Sequence, residues 1–91
     1  MADNSQNNKI EVVVCALYHF VAIDDDEALQ QSLLSLLKDK GIKGTLLIAA
    51  EGINGTVAGT SESISSLQAF LASDGRFDGI AYKLSTAEEM P

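Results

Sequence analysis

Ninety-one residues leave room for one domain, which at this size buries roughly 60–65% of its unfolded surface. A net charge of −7, from 13 acidic and 6 basic residues, argues against a nucleic-acid backbone binder, because that binding needs Lys and Arg to displace condensed counterions. One cysteine excludes an internal disulfide and fits a reducing cytoplasm, and no apolar run nears the ~18 residues of a membrane span.

Residues 1–8 are polar, lack the apolar core of a secretory signal and are expected to form a disordered tail. The folded unit is expected over residues 9–85. Its first strand spans Lys9 to Phe20, with Ile10, Val12, Val14, Ala16, Tyr18 and Phe20 on one face and Val13, Cys15 and Leu17 on the other. Apolar residues on both faces point to a central strand. Asp24-Asp25-Asp26-Glu27 then suit the cap and first turn of a helix, where carboxylates meet the positive end of its dipole. Leu29, Leu33, Leu36 and Leu37 make one stripe on this helix, which runs to about Lys40 and ends at Gly41. Lys38, Lys40 and Lys43 are the only basic cluster, and their place at the helix end reads as an offset to the dipole.

Gly44 to Gly59 reads GTLLIAAEGINGTVAG. The apolar run Leu46–Ala50 and the short run Thr56–Ala58 flank an expected hairpin turn containing Gly52 and Gly55. Asn54-Gly55 tolerates the positive φ angles of a tight turn, so Asn54 is expected there, beside Glu51 as a solvated loop carboxylate. Thr60 or Ser61 can cap a second helix, with Ile64, Leu67, Phe70 and Leu71 on one face and Gly75 as its stop. Ile80, Tyr82 and Leu84 alternate in a last half-buried strand, and 86–91 are expected to begin a linker.

The order strand, helix, strand, strand, helix, strand is the split βαβ, or ferredoxin-like, pattern of the α+β class. It predicts a four-stranded antiparallel sheet with the first and third strands central and both helices on one face. The other face would then be left apolar, to be covered by a neighbouring domain.

Ala50 to Gly59, A-E-G-I-N-G-T-V-A-G, resembles the signature of the amino-terminal domain in rhodanese-domain tRNA uridine hydroxylases. The likeness extends to Tyr18-His19-Phe20-Val21, Arg76-Phe77 and Glu88-Glu89-Met90-Pro91, and so covers almost the whole chain from about Ile10. It implies an acylphosphatase-like layout and a bacterial, cytoplasmic parent enzyme that hydroxylates the wobble uridine of tRNA with molecular oxygen as co-substrate. It also implies that the reactive cysteine belongs to a rhodanese domain of the same parent chain, outside these 91 residues. On this reading the fragment is an accessory domain with no catalytic residue, metal or cofactor of its own, partnered by that domain and by the parent's tRNA substrate. Two alternatives stand beside it: a binding or regulatory module without a tRNA role, and an acylphosphatase-type enzyme.

The acylphosphatase alternative is poorly equipped. Those enzymes cradle phosphate in a glycine-rich loop after the first strand and clamp it with an Arg, whereas His19 to Asp25 holds no Gly and no Arg and ends in acid. The position of their catalytic Asn falls on Ile48. His19 is the only histidine, so it is the one candidate general base, but Cys15 is about 13 Å away along the strand and gives it no nucleophile. A base-stacking sheet is also weakly supported, since Tyr18 and Phe20 have no aromatic counterpart on the third strand. The residues left as candidate contacts to tRNA or to a neighbouring domain are Glu51, Asn54 and His19, because binding residues concentrate on loops held by a rigid scaffold.

Overall fold

The computed structural model describes residues 11–87. In order, they form β1 (Val12–Phe20), α1 (Asp26–Asp39), β2 (Lys43–Ala49), β3 (Gly52–Thr60), α2 (Ser61–Ala72), a single 3-10 turn (Gly75–Phe77) and β4 (Ala81–Ala87). The four strands pair antiparallel in the order β2-β3-β1-β4. The chain thus adopts the ferredoxin-like arrangement that its period-two and helical spacings predict, and with it the acylphosphatase-like layout that the resemblance implies. The expected tail 1–8, the start of the expected first strand at Lys9 and Ile10, and residues 88–91 of the expected linker lie outside the described residues. At residues 86 and 87 the chain is still strand, with Thr86 opposite Val13 and Ala87 opposite Val12.

Both helices pack on one side of the sheet. Leu29, Leu33 and Leu37 from α1 and Ile64, Leu67 and Leu71 from α2 share one core with Cys15 and Leu17 of β1, Leu46 of β2 and Ile53 and Val57 of β3. These strand residues alternate with Val14, Ala16, Tyr18 and Phe20, which point away from the helices. Leu36 and Phe70, expected in the buried stripes, are half-buried at the margins of this core.

α1 ends as Gly41 predicts. Gly41 takes φ 68°, its N–H donates to the Lys38 carbonyl, and the N–H of Ile42 donates to the Leu37 carbonyl at 2.8 Å. This pair of bonds satisfies the last helical carbonyls and drives Ile42 into the core. α1 also starts within the expected acidic run, with Asp26 and Glu27 in its first turn. Asp25 stands at the cap position but makes no side-chain capping bond, because its carboxylate is held by Arg76. α2 is capped by Thr60, whose Oγ1 accepts from the Ser63 N–H at 3.1 Å. It stops at Ala72, before the expected Gly75, which instead opens the 3-10 turn that buries Phe77.

The hairpin is the main correction. Its turn is Ala50-Glu51, while Gly52, Asn54 and Gly55 all lie within β3. Asn54 therefore has no positive φ. The physical reason lies at Gly55. It faces Leu46 on one side and Leu17 on the other, and a Cβ there would land on the backbone carbonyl of Thr45, well inside van der Waals contact. Gly44 meets Thr56 in the same way. These glycines let β2 and β3 pair closely side by side within the sheet, and the Asn-Gly dipeptide serves that pairing rather than a turn.

Candidate functional site

The side of the sheet away from the helices carries exposed large side chains. Tyr18, Asn54 and Leu47 sit side by side across β1, β3 and β2, and Phe20, Gly52 and Ala49 form the next row toward the hairpin tip. Tyr18 is 59%, Leu47 60% and Phe20 83% exposed. Together with Glu51 at the lip they line a shallow recess that Gly52 also borders. Two flat aromatic rings, an aliphatic group and one central amide can bury an apolar partner and fix it with a hydrogen bond.

His19 is on the opposite side, facing the helices. Its Nε2 donates to the Arg76 carbonyl at 2.9 Å, and its ring lies 6.1 Å from that of Phe77 at a tilt of 56°. A carbonyl can only accept, so this contact fixes the tautomer with the proton on Nε2. Arg76 gathers the surrounding charge. Its Nη1 reaches Asp25 at 2.6 Å, its Nη2 reaches Asp74 at 2.6 Å, and its Nε also bonds the Asp74 carboxylate. Asp24 stands 3.9 Å away. The guanidinium's hydrogen bonds hold the Asp25 and Asp74 carboxyls below the usual aspartate range, and the two acids raise the Arg76 pKa in turn. The cluster ties the 3-10 turn to the end of β1 and the start of α1.

This corner is where an acylphosphatase-like loop would hold an anion. The Val21 N–H donates instead to the Glu51 carbonyl at 3.1 Å, and the Ile23 N–H to the Ala50 carbonyl at 2.8 Å. Two of the loop amides are thus turned to the hairpin tip, and the arginine that does reach the corner is met by carboxylates. Ile48 faces the helices beside Ile53 and offers nothing polar. Cys15 is fully buried among the core residues, where desolvation pushes its thiol pKa up and keeps it protonated. Tyr82 behind it is raised chiefly by burial. Among the described residues, no three His, Cys, Asp or Glu side chains group as metal ligands.

Of the three candidate contact residues, Glu51 and Asn54 border one recess, and the structure does not bring His19 to them. The staple around Arg76 escaped the reading of spacings because Asp25 and Arg76 are 51 residues apart. The only signal for it was Arg76-Phe77 within the resemblance. The geometry agrees with a comparison to known families, in which the model of the UPF0176 acylphosphatase like domain matches residues 12–91. The chain belongs to that family.

Proposed function

We propose that this domain is the amino-terminal accessory unit of a rhodanese-domain, oxygen-dependent tRNA wobble-uridine hydroxylase. The observation that carries the reading is the apolar sheet face left open beside Tyr18, Phe20 and Leu47 in a domain of this family. Such a face suits packing against another domain. The chemistry then belongs to a rhodanese cysteine outside these residues, and the domain acts by supporting that catalytic unit or by placing the tRNA substrate. The net charge of −7 favours support over direct phosphate contact.

The test removes residues 1–91 from the parent hydroxylase and measures 5-hydroxyuridine formation together with thermal stability. Loss of either supports the accessory role. Unchanged turnover and an unchanged melting midpoint refute it.

A further inference from the structure

The open sheet face differs in charge from the rest of the molecule. None of the four strands contains an Asp or Glu, and the described carboxylates lie on helices, turns and connections, apart from Glu11 directly before β1. The lysines of the strands are Lys43 at the β2 margin, in the row of Ala58 and Val14, and Lys83 at the β4 margin, beside Ala16. Ala16 and Val14 face away from the helices, so both lysines share the face with Tyr18, Phe20 and Leu47. The face is therefore graded. Its hairpin end is aromatic and aliphatic with Glu51 at the lip, while Lys83 flanks the next row at Ala16 and Lys43 the row after it at Val14.

We infer that this face docks a protein surface whose centre is apolar and whose border, over Lys43 and Lys83, carries carboxylates. This rests on the reading that the domain works by packing, and it adds the chemistry of the occupant. Charge complementarity separates that occupant from the alternatives. A second copy placed face to face would have only Glu51 at the lip to meet the lysines, and each copy would add a further −7. A single-stranded nucleic acid would find two lysines on a strongly acidic molecule, too few to drive counterion release. An apolar surface with an acidic border satisfies both ends of the gradient.

The test uses the 91-residue chain, labelled with nitrogen-15, and two amphipathic helical peptides with the same leucine face and either Glu or Lys on the polar face. At physiological ionic strength, where screening acts over about 8 Å, the global charge favours the Lys peptide, so local complementarity has to reverse that preference. The Glu peptide should shift the amides of Tyr18, Phe20, Leu47 and Asn54 and bind at least tenfold more tightly than the Lys peptide at this face. Phe20→Ser, at a position exposed enough to leave the fold intact by circular dichroism, should weaken it tenfold or more. The double change Lys43→Glu and Lys83→Glu should abolish the preference. Absence of Glu-peptide binding at millimolar concentration, equal affinity for both peptides at this face, or shifts confined to α1 and α2 would overturn the inference. So would preferential binding of an oligouridine there, or a sedimenting dimer dissolved by Phe20→Ser. Peptide binding with no effect of the 1–91 deletion on hydroxylation would refute the accessory role alone.

Discussion

At the scale of single residues, the fold depends on what Gly55 lacks and on what one arginine collects. Gly55→Ala would drive a methyl group into the Thr45 backbone, which has no flexible end to yield. A loss of about 2–4 kcal/mol in denaturant unfolding is expected, in the range of backbone clash and overpacking. Gly75→Ala is the control, since nothing lies within 4 Å of the added carbon; its effect should stay within about 0.5 kcal/mol. The Arg76 staple sets a pH dependence. Asp25 and Asp74 have folded-state pKa values below their ordinary 3.8, so the stability they contribute is complete above that value and falls as pH drops through the lower folded values. Arg76→Ala should therefore lower the melting midpoint at neutral pH, and its difference from the unmodified chain should shrink as pH falls below about 4. A difference that stays constant down to about pH 2 would show that the pairs contribute nothing to this trend.

At the scale of elements, most of the architecture was legible because apolar spacing alone decides it. Leu29, Leu33 and Leu37 and then Ile64, Leu67 and Leu71 mark the two helices, and both faces of β1 are apolar as a central strand requires. The hairpin was misplaced for the opposite reason. Asn54-Gly55 has a strong local preference for turns, but the close approach of β2 and β3 overrides it, and Ala50-Glu51 carry no turn signature of their own. The acidic run was legible as the start of α1, but the capture of the Asp25 carboxylate by a partner 51 residues distant was not, since no local window can see it. Of Thr60 and Ser61, the two caps offered before the second stripe, Thr60 takes the position. Thr60→Ala should cost about 1 kcal/mol by chemical denaturation, the usual value of a lost N-cap. Its Oγ1 also bonds the Ser63 hydroxyl, which in turn donates to the Lys40 carbonyl at 2.8 Å, so the loss extends to the seam between α2 and the end of α1.

At the scale of the whole molecule, the sheet separates two environments. One side is a continuous core that includes the buried Cys15 and Phe77, and the other presents Tyr18, Phe20 and Leu47 to solvent. The period-two pattern of β1 predicted this division, whereas the candidate contacts Glu51, Asn54 and His19 were grouped only by sequence and are split by the sheet. The bonds from Val21 and Ile23 to the hairpin tip make the stretch between β1 and α1 part of the same cooperative unit as β2 and β3. Hydrogen exchange should find the Ile23 amide protected almost as well as its strand neighbours, despite its place in a connection. A change that melts the tip should release that amide together with the hairpin, so a disturbance felt at Ala50 would be transmitted directly to the first turn of α1.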